Sequence, residues 1–146
     1  MTTPKLVPEL DVSDIDVSLA FYTGICGFAV RYERPEERFA YLDLDGVDLM
    51  LEEADGPGRR FSVTPLERPY GRGVNFQIAV RDVDALYARV EAAGCDVPIP
   101  MEERWYRADD MLSGNRQFVV ADPDGYLLRF FSDLGERPAA ASSPSA

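Results

Sequence analysis

Apolar and polar residues alternate with a period of two through Leu10-Asp11-Val12, Val47-Asp48-Leu49-Met50-Leu51, Phe76-Gln77-Ile78-Ala79-Val80 and Leu127 to Phe131, the pattern of strands with one buried face. Between these stretches the period lengthens. Ile15, Leu19 and Tyr22 in one segment, and Val83, Leu86, Tyr87 and Val90 in another, fall three or four apart, so each predicts a helix with a single buried stripe. Each helix follows an aspartate, Asp14 or Asp82, able to cap its first turn. Each stops at a glycine, Gly24 or Gly27 in the first and Gly94 in the second, the residue that most readily closes a helix in the left-handed conformation. A further strand is expected after each helix, with Val30 and Val97 near its start.

These elements occur twice. Val12-Ser13-Asp14-Ile15-Asp16 returns as Val80-Arg81-Asp82-Val83-Asp84, and the run from Asp43 to Leu51 returns as Asp122 to Phe130. The second pair shares D-x-D-G-x-x-L-x-[L/F], two strands around an Asp-Gly hairpin turn. Two matched landmarks per copy predict two βαβββ modules, residues 1–60 and 61–135, joined within Glu53–Arg72. There Gly56-Pro57-Gly58, Pro65, Pro69 and Gly71-Arg72-Gly73 interrupt any regular element. Residues 136–146, rich in Ala, Ser and Pro, read as a disordered tail. The fold class is α+β. Each module makes a curved mixed sheet with one face covered by its helix and the other open, and the strands are expected to curl into an eight-stranded half-barrel around a cleft. One chain is too small to bury both open faces, which predicts a homodimer.

Composition narrows the chemistry. The 146 residues carry a formal charge of −11 and no histidine, which removes Ser-His and Cys-His catalysis and every His-containing metal site. An acidic surface also excludes nucleic acid as a partner, and would attract cationic small molecules. No apolar run approaches the about 18 residues of a membrane span, and no signal-peptide core follows Met1. Cys26 and Cys95 have no metal-ligand spacing and read as small buried thiols. A cytoplasmic protein without a cofactor is expected.

The period-two phase also assigns the open faces. Val7, Glu9 and Asp11 point away from the helix in the first strand, and Asp48, Met50 and Glu52 in the last strand of module one. Asn75, Gln77 and Ala79, then Leu127, Arg129 and Phe131, do so in module two. The strand holding Phe39 and Tyr41 has no readable phase. Trp105 and Tyr106 precede an expected turn at Ser113-Gly114-Asn115, which places them near the cleft. Glu9, Asp48, Met50, Glu52, Asn75, Gln77, Trp105, Tyr106, Arg129 and Phe131 are therefore the candidate ligand-binding residues. Their carboxylates would pair a cation, their amides hydrogen-bond, and their aromatic rings stack on a planar group. Arg129 either contacts the ligand or pairs with Glu52 or Asp48, and Trp105 either stacks on the ligand or packs in the core.

Phe21-Tyr22 with the following Gly27-Phe28, the βαβββ duplication, and the closing D-P-D-G-Y-L-L-R-F from Asp122 to Phe130 resemble the glyoxalase/bleomycin-resistance superfamily, also called vicinal oxygen chelate. The likeness spans about residues 5–135. Trp105-Tyr106-Arg107 together with the stretch from Gly114 to Phe130 looks like the superfamily's bleomycin-resistance branch. For the enzymes, the resemblance implies a divalent metal held by His, Gln or Glu from the first and last strand of each module. Those positions fall here on Val7, Met50, Asn75 and Arg129, a set without anionic or imidazole donors, so no metal is expected. For the branch, it implies a dimer that sequesters a basic, planar-tailed glycopeptide without catalysis. The expectation is a metal-free binder of a cationic, partly aromatic, bleomycin-type antibiotic. The alternatives are a lyase- or dioxygenase-type enzyme working through Glu9, Glu52 or Asp48, and a binder of an endogenous metabolite.

Overall fold

The computed structural model describes residues 3–61 and 64–140. Its strands are β1 (Glu9–Val12), β2 (Ala29–Arg34), β3 (Phe39–Leu44), β4 (Val47–Glu53), β5 (Asn75–Ala79), β6 (Ile99–Ala108), β7 (Met111–Ala121) and β8 (Leu127–Pro138). Helix α1 (Ile15–Leu19) follows β1 and continues into a π-helical turn, Ala20–Ile25, while α2 (Val83–Ala92) follows β5. The strands form two four-stranded mixed sheets, ordered β1-β4-β3-β2 and β5-β8-β7-β6, and not a closed barrel. In each, the strand before the helix pairs parallel to the last strand and the remaining pairs are antiparallel. This is the α+β architecture of two βαβββ modules. No helix among the described residues is long and apolar enough to cross a membrane.

Local chemistry explains the elements. The Asp14 carboxylate accepts from the backbone N–H of Asp16 at 3.0 Å and Val17 at 3.3 Å, and Asp82 from that of Ala85 at 3.0 Å, so both capping aspartates satisfy N–H groups the helix cannot. The first helical segment closes at Gly27, with φ +92°, rather than at Gly24. At the β3–β4 turn Asp45 and Gly46 both have positive φ, 50° and 91°, the combination a two-residue hairpin requires.

The helix-side faces of both sheets enter one hydrophobic core. Leu10, Val12, Leu49 and Leu51 from the first sheet meet Ile78, Phe118, Leu128 and Phe130 from the second, with Phe21, Tyr22, Leu86 and Val90 between them. The modules are also latched by polar groups. The Tyr22 hydroxyl donates to Asp122 Oδ2 at 2.7 Å, the Ser13 hydroxyl to Asp124 Oδ1 at 2.5 Å, and the Tyr126 hydroxyl to the Asp11 carbonyl at 2.9 Å.

Three expectations are corrected. Ser113, Gly114 and Asn115 lie inside β7, and the turn falls instead at Asp109-Asp110, between the paired Ala108 and Met111. Gly114 serves packing there: a Cβ would meet the Trp105 ring at 2.7 Å. Strand β8 runs three residues into the expected tail, because Glu136, Arg137 and Pro138 pair with Ser113, Leu112 and Met111; residues 141–146 lie outside the described residues. Val97 precedes β6, which starts at Ile99 after Pro98.

Candidate functional site

The open face of the first sheet is built in rows by strand register. Glu9 on β1 stands beside Met50 on β4, Met50 beside Tyr41 on β3, and Tyr41 beside Tyr32 on β2. The next row reads Asp11, Glu52, Phe39, Arg34. Carboxylates thus collect toward the β1 edge and aromatic rings toward β2. Tyr32 stacks on Tyr41 with centroids 5.0 Å apart and planes 20° from parallel, and the Arg34 guanidinium lies 4.0 Å over the Phe39 ring. Asp48 is engaged within this sheet, by Arg31 at 3.2 Å and by a short hydrogen bond from the Tyr41 hydroxyl.

The acidic rows perturb one another. Burial pushes the Glu52 carboxyl above the ordinary glutamate range, reinforced by Glu9, Glu37 and Asp11 and opposed by Arg34. Glu9 is raised for the same reasons, burial first and then Asp11, again against Arg34. Both sites therefore resist negative charge and would favour a positive group brought beside them.

The second sheet offers a different surface. Gln77, Tyr106, Arg129 and Phe131, with Ser113, Asn115 and Asp133, line a cavity of about 430 Å³. Arg129 Nη2 donates to Gln77 Oε1 at 2.6 Å, and its Nε is buried without a hydrogen-bond partner. Gln117 Nε2 donates to the Tyr106 hydroxyl at 2.7 Å and to Glu102 Oε2 at 3.0 Å. Arg129 makes no ion pair with Glu52 or Asp48 among the described residues; it lies on the other sheet, beside Gln77 across the β5–β8 ladder. Where β4 begins, Asp48 joins Asn75 and Gln77 in the lining of a second cavity, of about 320 Å³.

The candidate residues thus fall into three groups, with Trp105 outside them all. Glu9, Met50 and Glu52 share the first sheet's open face, and Gln77, Tyr106, Arg129 and Phe131 the second's; Asp48 and Asn75 meet at the second cavity. Trp105 belongs to none of them. It pairs with Gly114 across β6–β7, on the side opposite Tyr106, and its ring is sandwiched between Gly114 and the Arg137 guanidinium 3.9 Å away. It neither stacks in the cleft nor belongs to the core. Sequence reasoning missed Tyr32, Arg34, Phe39 and Tyr41, because Phe39-Ala40-Tyr41-Leu42 is apolar at every position. The core settles their phase: Ala40 and Leu42 belong to it, and Phe39 and Tyr41 do not.

The metal positions implied by the resemblance, Val7, Met50, Asn75 and Arg129, do not fit a divalent ion. An alkyl group, a thioether, an amide and a guanidinium offer neither charge nor enough hard donors, and the guanidinium repels cations. Among the described residues no group of three or more Cys, Asp or Glu side chains is arranged to hold a metal.

Known proteins share this fold and parts of this sequence. The family model of the Glyoxalase/Bleomycin resistance protein/Dioxygenase superfamily matches residues 8–130. A bleomycin resistance protein of Geobacillus stearothermophilus is 29% identical over 135 residues, covering 88% of this chain and 96% of its own length. The anthracycline biosynthesis protein DauV of Streptomyces sp. strain C5 is 31% identical over 127 residues, which is 80% of this chain and 42% of DauV. The crystal structure of TioX from Micromonospora sp. ML1 superposes with a TM-score of 0.68 at 26% identity, covering 90% of this chain and all of that one.

Proposed function

Because the chain belongs to the glyoxalase/bleomycin resistance protein/dioxygenase superfamily, we propose that it is a metal-independent binding protein of the cytoplasm that sequesters a cationic, partly aromatic small molecule of the bleomycin type. The observation that carries this reading is the open face of the first sheet, where Glu9, Asp11 and Glu52 adjoin the Tyr32–Tyr41 stack. Carboxylates and electron-rich rings are what a planar cation needs. The near full-length likeness to a bleomycin resistance protein supports the drug class. On the second sheet, the Arg129 guanidinium and the Gln77 and Asn115 amides supply hydrogen bonds for the polar body of such a ligand.

The proposal includes a homodimer. Tyr32, Ile99 and Tyr106 lie on the open faces as large apolar side chains that remain substantially exposed, and a partner would cover them. Sedimentation of the purified chain tests this, with two copies per particle expected. Calorimetric titration with bleomycin tests the ligand: saturable binding is expected, and no heat up to about millimolar drug, where even the weakest useful complexes register, removes the drug assignment.

A second reading is favoured by one observation, the raised Glu52 carboxyl, since a base tuned upward suits proton abstraction. It would make the chain a superfamily enzyme with a carboxylate site. A stoichiometric metal in the purified protein, lost in Glu52→Ala, would establish it over the binding proposal. Capture of an endogenous metabolite in place of a drug would leave the same site and change its occupant.

A further inference from the structure

Glu52 is only 8% exposed, yet among the described residues its carboxylate has no hydrogen-bond donor or ion-pair partner. A carboxylate on so nearly buried a residue, crowded by like charges, is stabilised by a positive group brought beside it. Glu9 and Asp11 reach it from β1 and Glu37 from the 3-10 turn Pro35–Glu37, while the opposing cation Arg34 on β2 is already tied to Glu37. Phe39 is its register partner, and the Tyr41–Tyr32 stack stands one row away. The turn Gly56-Pro57-Gly58 after β4 roofs the group, because a Cβ at position 58 would overlap the Glu52 Oε1. The ensemble is an anionic seat beside an aromatic wall, and its nearby cation, Arg34, is held by Glu37.

We infer that Glu52 is the counterion for a protonated nitrogen of the ligand, seated on the first sheet between Glu9, Asp11 and the Tyr32–Tyr41 stack beneath the Gly56–Gly58 turn. The inference rests on the proposed reading of a cationic aromatic ligand and assigns its two ends. The ammonium end goes to the first sheet. The acceptor-bearing end goes to the second, where the unpartnered Nε of Arg129 would repel a cation. Ligands of this chain are accordingly aromatic amines, bound in preference to their uncharged analogues. The glycine at position 58 then has a specific task, leaving room for the Glu52 carboxylate to face the ligand.

The test compares two probes of one shape, 2-naphthylmethylamine, which is an ammonium ion at neutral pH, and 2-naphthalenemethanol, titrated by calorimetry into the intact chain. The amine is expected to bind at least about tenfold tighter, the scale of one charge-assisted hydrogen bond. Glu52→Gln keeps the shape and is expected to erase that preference while leaving the alcohol unchanged. Gly58→Ala keeps the charge but displaces the carboxylate, and is expected to weaken the amine selectively. Equal affinity of the two probes for the unaltered chain, binding of neither up to about millimolar, or a preference that survives in Glu52→Gln overturns the inference. An amine preference without bleomycin binding removes the drug class and leaves this seat standing; bleomycin binding without the preference does the reverse.

Discussion

At the residue scale, the same crowding that prepares Glu52 for a cation sets how the protein answers to pH. Glu9 and Glu52 have folded-state values above the ordinary 4.5, from burial and from neighbouring carboxylates. Between 4.5 and their raised values the folded chain therefore holds more protons than the unfolded one, so these two groups make stability fall as pH rises through that interval. Glu53 works the other way. Its value is lowered by the N–H of Ile15, 3.0 Å from its carboxylate, and by Arg38, so its contribution is present above 4.5 and is lost as pH falls through the lowered value. Glu52→Gln should melt higher than the unaltered chain at neutral pH, with the gap closing as pH falls through the raised value, where Glu52 takes up its proton. Differential scanning calorimetry across that range checks it; a neutral-pH melting temperature no higher than that of the parent counts against the crowding. Trp105 gives the complementary case. Its removal in Trp105→Ala forfeits the Arg137 contact, about 0.5–1 kcal/mol for an exposed cation–π pair, and leaves affinity for the calorimetric probes unchanged.

At the element scale, legibility followed the hydrophobic period. Strands β1, β4, β5 and β8 alternate, and their buried and open faces were readable from Leu10 to Phe131. Strand β3 does not alternate, yet its register was latent in the sequence. A two-residue Asp45-Gly46 turn places Leu44 opposite Val47 and therefore Tyr41 opposite Met50, which puts Phe39 and Tyr41 on the open face. What misled the reading of β6 and β7 was a glycine with two plausible purposes. Ser113-Gly114-Asn115 has turn chemistry, but Gly114 is there because the Trp105 indole lies flat on its Cα, and the turn is made by Asp109-Asp110, with Asp109 at φ 58°. No local signal distinguishes these uses. Gly114→Ala should therefore displace the indole and cost about 1–3 kcal/mol, as overpacking does. Trp105 is the chain's single tryptophan, so a shifted emission spectrum and a lowered urea midpoint read out both effects.

At the scale of the whole molecule, one core serves both modules, so neither half has a hydrophobic interior of its own. Unfolding is expected as one transition, with Trp105 emission and far-ultraviolet dichroism coincident in urea. The polar latch contributes as well. Burial raises the Asp122 carboxyl, and the Tyr22 hydroxyl is among the groups holding it down; Tyr22→Phe should cost about 1–3 kcal/mol by leaving a buried acceptor short of a donor, measured by the same denaturation. The latches also have a symmetry. Asp124 in the second D-x-D-G turn binds Ser13, beside the cap of α1. Its duplicate Asp45, in the first turn, binds Arg81 at 2.8 Å, beside the cap of α2, and Ser13 and Arg81 are themselves duplicates. Each copy's turn grips the other copy's helix entrance, the reciprocal contact that two identical subunits make about a two-fold axis. The chain thus carries inside itself the geometry of a two-fold dimer of its modules. One grip is a buried hydrogen-bonded aspartate and the other an exposed ion pair.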